Sequence, residues 1–129
     1  MNTDCLFTTT NNSKLLLILT GWSTGPDLYK PLLSSIPKDW DVIVLSNFDY
    51  SESFETPDKY STVYLLAWSF GVAAAERLVS GNVTMAFAVN GSPFPVDDNL
   101  GIPRNIFDGT LENLNLRNLK KFHRRMVES

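Results

Sequence analysis

The chain has 129 residues, of which 43% are hydrophobic and 12% aromatic, which is enough to bury one globular core and too little for two. Charged residues make up 19% and the net charge is −3, a balance that excludes intrinsic disorder and a chain built mainly to bind nucleic acid. Cys5 is the only cysteine, so no internal disulfide can form. Residues 1–12 lack a signal-peptide pattern, and no apolar run is long enough to span a bilayer. We therefore expect a cytoplasmic protein with no membrane partner.

Two apolar segments in the first part of the chain predict buried strands. Residues 15–19 form a continuous apolar run, and residues 41–45 follow the same pattern. Between them, glycines predict a loop over residues 21–25, and Pro26 is a favourable first residue for a helix. The apolar face of that helix would consist of Leu28, Leu32, Leu33 and Ile36.

The middle of the chain repeats this alternation of strand and helix. Residues 51–60 are polar and predict a loop or a short irregular helix, after which residues 63–68 and 84–89 predict a third and a fourth strand. The alanine-rich segment 70–80 between them predicts a helix that stops at Gly81. Such alternation predicts a parallel sheet of the α/β class, with its chemistry in loops at the carboxyl ends of the strands.

The last part of the chain is less regular. Prolines and glycines predict a long ordered loop over residues 91–109. From Thr110, apolar residues recur at helical spacing and predict one amphipathic helix or two short ones. Residues 117–129 carry five of the 11 Lys and Arg residues, so an acidic body ends in a basic tail.

Two serines are candidates for a nucleophile. Residues 21–25 read Gly-Trp-Ser-Thr-Gly, a literal G-x-S-x-G, but Gly25 and Pro26 delay the next helix and predict a loose loop. Residues 67–71 read Ala-Trp-Ser-Phe-Gly, and here the predicted strand runs directly into Ser69 and a helix follows at once. A nucleophile elbow needs this tight strand–serine–helix turn with small neighbours, so Ser69 is the preferred candidate. The alternative is that Ser69 only caps the helix.

An acyl-transfer serine also needs two backbone N–H donors for the oxyanion. One donor would come from Phe70, the residue after Ser69, and the other from Trp22 in the loop after the first predicted strand. The alternative for Trp22 is a turn residue whose ring belongs to the core.

These residues, taken together, resemble the BioG-type pimeloyl-[acyl-carrier protein] methyl ester esterases of the α/β-hydrolase superfamily. The resemblance covers only the N-terminal part of that family and rests on five segments in order, which are Gly21-Trp22, Phe48-Asp49-Tyr50, residues 67–71, residues 90–93 and residues 122–126. It implies a three-layer α/β-hydrolase fold with an incomplete parallel sheet of about four core strands. Residues 1–109 would form the N-terminal part of the core, and residues 110–129 the start of a helical cap.

The resemblance also implies an activity. The reaction would be hydrolysis of the methyl ester of pimeloyl-acyl-carrier protein in biotin synthesis, with Ser69 as nucleophile, Trp22 and Phe70 as oxyanion donors, and no metal or organic cofactor. The family's catalytic acid and histidine lie after later strands that this sequence does not contain, so the chain alone is expected to be inactive. His123, the only histidine, lies among cations and is expected on the surface. Asp97 and Asp98 follow the fourth strand, and either a catalytic acid or turn formation would explain them.

The basic tail has two interpretations. It is either the solvated face of an amphipathic helix or a docking site for the acidic acyl-carrier protein, with Arg124 and Arg125 as the first candidates. Two other functions stay open, a hydrolase of the same fold acting on another acyl ester or thioester, and a non-catalytic α/β module that binds a partner.

The strand at residues 84–89 would be an unpaired apolar edge of the sheet. Exposed apolar edges pair readily with other strands. We therefore expect the chain either to self-associate through this edge or to bury it against an additional segment.

Overall fold

The computed structural model describes residues 1–127 and has a mixed α/β fold. Its strands are β1 (Asn2–Phe7), β2 (Lys14–Leu19), β3 (Trp40–Ser46), β4 (Phe54–Glu55), β5 (Thr62–Trp68), β6 (Val79–Ser80) and β7 (Met85–Val89). Its helices are a 3₁₀ helix (Pro26–Ser35), α1 (Phe70–Leu78), α2 (Arg104–Glu112) and α3 (Leu116–Val127).

The five longer strands form one sheet in the order β1-β3-β2-β5-β7. β2 pairs in parallel with β3 and β5, β5 pairs in parallel with β7, and only β1 runs antiparallel to its neighbour β3. The four predicted strands are confirmed as β2, β3, β5 and β7, each within one residue at either end. Because these four strands are parallel, their carboxyl ends meet at one end of the sheet.

Both faces of the central strands are covered, as their continuous apolar runs predict. On one face, leucines of β2 and β5 pack with Val72, Ala74 and Leu78 of α1. On the other face, Ile18 and two valines of β3 pack with Tyr29 of the 3₁₀ helix. Each fully buried aliphatic side chain stabilises the fold by about 1.5–3 kcal/mol, so β2 and β3 are the main source of stability in this sheet.

The helix predicted after Pro26 differs from expectation in type and in the face it buries. It is a 3₁₀ helix that contains Pro31, and its buried side chain is Tyr29, whereas Leu28 and Leu32 are 48% and 43% exposed. A 3₁₀ helix has three residues per turn instead of 3.6, so the apolar face read at α-helical spacing was wrong at those two leucines. Leu33 and Ile36 do pack against the core, as predicted.

Three other segments differ from the sequence-based prediction. The polar N-terminus forms β1, whose exposed side faces away from the core. The predicted loop at 51–60 contains β4, which pairs with β6, and this pairing ends α1 at Leu78 instead of at Ser80. The predicted loop at 91–109 ends early because α2 already begins at Arg104.

Residues Met1–Pro95 form one compact unit, and a second unit begins at Val96. The sheet and α1 belong to the first unit, and α2 and α3 belong to the second. This division lies before the boundary predicted after residue 109, and the assignment of residues 110–129 to a helical cap stays a prediction.

A buried carboxylate holds the amino end of the sheet together. Asp41 at the start of β3 is completely buried and accepts hydrogen bonds from Tyr60 Oη at 2.7 Å, the Thr9 backbone N–H at 2.9 Å, Asn12 Nδ2 at 2.9 Å and Lys59 Nζ at 3.1 Å. Burial alone would raise the pKa of Asp41, but the four hydrogen bonds outweigh it and lower the pKa below its ordinary value. Asp41 therefore joins three segments that are distant in sequence.

β7 forms an exposed edge of the sheet. It pairs with β5 on one side and, within residues 1–127, with no strand on the other. Its apolar side chains Met85, Phe87 and Val89 are each 42–48% exposed. The predicted apolar edge is confirmed, and its self-association stays a prediction.

Candidate active site

Ser69 lies in a strained turn between β5 and α1. β5 ends at Trp68, α1 begins at Phe70, and Ser69 between them has φ 56° and ψ −123°. A positive φ is unfavourable for a residue with a side chain and is found where the surrounding structure enforces it, often at functional sites. Although Ser69 occupies the N-cap position, its side chain makes no capping hydrogen bond. The tight strand–serine–helix turn is confirmed, and simple capping does not explain the serine.

Two glycines allow this turn to pack closely against its neighbours. A Cβ added to Gly71 would lie 2.4 Å from the Leu19 carbonyl oxygen, and one added to Gly91 would lie 2.3 Å from the Ser69 carbonyl oxygen. Both distances are too short for any side chain, so only glycine fits at these positions. The Ser69 N–H also donates to the Val89 carbonyl oxygen at 2.9 Å. Backbone contacts from β2 and from the end of β7 therefore fix the position of Ser69.

The loop after β2 lies beside Ser69. A Cβ on Gly21 would be 3.3 Å from Ser69 Cβ and 2.9 Å from the Trp68 ring. Trp22, the next residue, and Phe70 line the same cleft. The structure thus brings together the three residues that the sequence singled out, and the roles of Trp22 and Phe70 as oxyanion donors stay a prediction.

Ser23, the serine of the literal G-x-S-x-G, lies in a different setting. It also has a positive φ, of 59°, but the following helix begins only at Pro26. The Thr24 hydroxyl closes the loop by donating to the Gly21 carbonyl oxygen at 2.8 Å. The predicted loop is confirmed, and Ser23 lacks the direct strand-to-helix turn that Ser69 has.

Left-handed backbone is concentrated at one end of the sheet. Within residues 1–127, the non-glycine residues with positive φ are Ser23, Asn47, Ser69 and Asn90. Asn47, Ser69 and Asn90 each directly follow a parallel strand, and Ser23 lies in the loop after β2. Sequence reasoning did not single out Asn47, although asparagine directly after a buried strand is a signal for this conformation. Strain therefore marks the same end of the sheet at which an active site is expected.

The other predicted site residues belong to the second compact unit. Asp97 accepts the backbone N–H groups of Asn99 and Leu100 at 2.9 Å, which lowers its pKa, and Asp98 accepts the Arg104 N–H at the start of α2. Asp97 thus stabilises the loop and Asp98 the start of α2, as the turn interpretation predicts. His123, Arg124 and Arg125 lie on α3, where both arginines are exposed.

The described residues also bear on metal binding and on membrane crossing. Among residues 1–127, no three His, Cys, Asp or Glu side chains are grouped closely enough to hold a metal ion. None of the helices in that range combines the length and apolar character that crossing a membrane requires.

Comparison with known proteins identifies the relatives of this chain. A family model described as pimeloyl-ACP methyl esterase BioG matches residues 1–129. The crystal structure of BioG from Haemophilus influenzae is similar with a TM-score of 0.84 and 38% sequence identity, over 97% of this chain and 57% of that chain.

Two curated relatives match at the sequence level. A malonyl-[acyl-carrier protein] O-methyltransferase from Bacteroides fragilis is 41% identical over 120 residues, which is 88% of this chain and 24% of the relative. An uncharacterized protein from Haemophilus influenzae is 40% identical over 114 residues, which is 87% of this chain and 52% of the relative. The chain thus spans about half, or less, of the length of these relatives.

Proposed function

Because the chain belongs to the BioG family of pimeloyl-ACP methyl esterases, we propose that it is the nucleophile-bearing part of a serine carboxylesterase with an α/β-hydrolase fold. Its substrate would be the methyl ester of pimeloyl-acyl-carrier protein in biotin synthesis. The observation that carries this proposal is the strained turn at Ser69, which puts a serine between a parallel strand and a helix without using its side chain as a cap.

In the proposed mechanism, the Ser69 hydroxyl oxygen attacks the carbonyl carbon of the methyl ester while a general base takes the hydroxyl proton. The N–H groups of Trp22 and Phe70 stabilise the negative charge on the carbonyl oxygen, and methanol leaves with a proton supplied by the general base. Water then hydrolyses the acyl-serine to the free acid and regenerates Ser69. Since residues 1–95 contain no histidine, a histidine base would come from outside the unit that holds Ser69.

The relatives' names support a carrier-bound substrate. Methyl esterase and O-methyltransferase both describe methyl chemistry on an acid held by acyl-carrier protein. The second name belongs to a protein of which this chain matches only 24%, so we assign the esterase activity to the matched region.

The test of this function is a fused protein in which residues 1–129 are followed by the part of Haemophilus influenzae BioG outside the matched region. We expect it to convert methyl pimeloyl-acyl-carrier protein to the free acid, observed by mass spectrometry of the intact carrier. Release of the whole acyl group from the carrier would instead indicate a thioesterase. No change in the mass of the carrier would favour the non-catalytic module.

The basic face of α3 is the proposed docking site for the carrier. Arg117, Lys120, Lys121, Arg124 and Arg125 are all exposed on this helix. Leu116 and four of these cations, with Arg124 among them, line a shallow concavity of about 520 Å³. Positive charge grouped in this way accelerates association with an acidic partner.

Charge reversal on α3 tests the docking site. We expect the double change Arg124→Glu and Arg125→Glu to slow association with acyl-carrier protein by about tenfold or more at low salt, and the difference to shrink at high salt because ions screen it. Surface plasmon resonance at two ionic strengths measures this. Lys38→Glu with Lys14→Glu is the control with the same charge change outside α3, and an equal effect of both double variants would argue against a specific docking site.

A further inference from the structure

Asn90 and Gly91 form the junction between β7 and the loop that follows it. Asn90 comes directly after Val89, the last residue of β7, and has a φ of 46°. Both residues of the junction are exposed. Asn90 is also the only asparagine of the sequence that is followed by glycine. Within residues 1–127, no hydrogen bond holds the Asn90 side-chain amide or the Gly91 N–H.

An asparagine followed by glycine is chemically labile in water. The Gly91 nitrogen can form a bond to the side-chain carbonyl carbon of Asn90, and the side-chain NH₂ then leaves as ammonia with the Gly91 N–H proton. Water opens the resulting five-membered imide at either carbonyl. Opening at the side-chain carbonyl gives aspartate, and opening at the main-chain carbonyl gives isoaspartate, in which the backbone passes through Cβ. Glycine favours ring closure because it has no Cβ beside the attacking nitrogen.

The fold requires the two residues that make this junction labile. Asparagine is one of the few residues with a side chain that adopt a positive φ readily. A Cβ on Gly91 would lie 2.3 Å from the Ser69 carbonyl oxygen and 2.5 Å from Val72 Cγ2, so no larger residue fits there. The junction also ends an exposed edge strand, and exposed backbone of this kind opens locally at low free-energy cost. The rotation of Asn90 that ring closure needs is therefore accessible in the folded protein.

The same junction holds the proposed nucleophile in place. The carbonyl oxygen of Val89, one residue before Asn90, accepts the Ser69 N–H at 2.9 Å, and Gly91 packs on the Ser69 carbonyl oxygen. Isoaspartate at position 90 adds a carbon atom to the backbone between these two contacts. Because β7 is fixed by its pairing with β5 and Gly91 has no spare room, a longer backbone cannot keep both contacts.

We propose that Asn90 and Gly91 are a site of spontaneous deamidation, at which the change to isoaspartate displaces the turn at Ser69 and inactivates the molecule. The modification needs only water and is independent of the esterase function proposed above, whereas its effect on activity rests on that function. The chain thus carries a built-in limit on the lifetime of its active form.

Peptide mapping of the incubated 129-residue chain tests the modification without any catalysis. Mass spectrometry detects the replacement of the side-chain NH₂ by OH, and labelling by an isoaspartate methyltransferase distinguishes isoaspartate from aspartate. Asn47 is the matched control, because it is exposed, has a φ of 51° and directly follows β3, but precedes Phe48. We expect deamidation at Asn90 to be about tenfold or more faster than at Asn47, since only Asn90 has glycine beside it. Equal rates at the two asparagines would overturn the proposal.

The effect on Ser69 is measured in the fused protein described above. Anion exchange separates the deamidated form, which carries an additional negative charge. We expect this form to hydrolyse methyl pimeloyl-acyl-carrier protein about 100-fold more slowly, because small displacements of reacting groups have effects of that size. Asn90→Gly allows the left-handed backbone but has no amide to lose, so it should keep its initial rate over the same incubation. Asn90→Asp adds the charge without the longer backbone and should lose much less activity.

Full activity of the isoaspartate form, or an equal loss in Asn90→Asp, would overturn the proposed displacement of the turn. A fused protein that hydrolyses no ester even before incubation would refute the proposed function alone, because the mass of the peptide with Asn90 still measures the modification. In that case, a lower melting temperature of the isoaspartate form than of Asn90→Asp would support the displaced turn, and equal melting temperatures would refute it.

Discussion

Replacing Ser69 by alanine will reduce ester hydrolysis by the fused protein about 10⁴- to 10⁶-fold, the usual cost of removing a triad nucleophile. In the proposed mechanism, this change removes the covalent route through an acyl-serine, while the proposed backbone donors remain. Initial rates with methyl pimeloyl-acyl-carrier protein measure the effect. Ser34→Ala is the control, because Ser34 is exposed on the 3₁₀ helix and does not line the cleft beside Ser69, and it should retain most of the activity.

The same substitution will have little effect in the 129-residue chain by itself. Without a general base, a serine hydroxyl contributes almost nothing to the rate of ester hydrolysis, because triad residues act as a unit. The chain should therefore hydrolyse p-nitrophenyl esters about 10⁴- to 10⁶-fold more slowly than a complete serine hydrolase, with or without Ser69. Turnover close to that of a complete hydrolase, lost in His123→Ala, would show that His123 is the base.

Replacing Asp41 by alanine will destabilise the fold by about 3 kcal/mol, because it leaves the buried Tyr60 hydroxyl and other donors without their acceptor. Such a loss lowers the melting temperature by on the order of 10 °C. Thermal unfolding followed by circular dichroism measures it. Asp39→Ala is the control two residues earlier, where the carboxylate is 59% exposed and paired with Lys14. A pair of that kind contributes at most about 1 kcal/mol.

The stability contributed by Asp41 should depend on pH. Since the folded state lowers the pKa of Asp41, this stability is fully present above the ordinary aspartate pKa of about 4 and is lost as the pH falls below it. Burial and the nearby Asp41 carboxylate raise the pKa of Tyr60, so a second loss should begin above about pH 10. Asp41→Asn should flatten the acid limb, and an unchanged acid limb in that variant would contradict this assignment.

Much of the sheet was predictable because its central strands are buried on both faces. A continuous apolar run such as 15–19 has few alternatives to a strand buried on both faces. β1 was missed because an edge strand with one exposed face leaves a largely polar sequence, as in Asn2–Phe7. In the 3₁₀ helix, Leu28 and Leu32 were wrongly assigned to the buried face, because a 3₁₀ helix has three residues per turn and the prediction used α-helical spacing.

The candidate site was predictable where local chemistry determines it. The turn at Ser69 was predictable because small residues and an uninterrupted strand-to-helix transition favour a tight turn there. The contact of Gly91 with the Ser69 carbonyl and the network around Asp41 join segments distant in sequence. No periodicity in the sequence indicates these long-range contacts, so they could be identified only from the structure.

The two ends of the sheet also differ in how freely they can change over evolutionary time. At the carboxyl end, Ser69 and three other left-handed residues hold unfavourable backbone conformations that lower the margin of stability. At the amino end, the network of Asp41 adds stability far along the strands from these loops. Substitutions that improve packing near Asp41 can therefore offset destabilising changes in the loops, which allows new substrate specificities to arise without unfolding the protein.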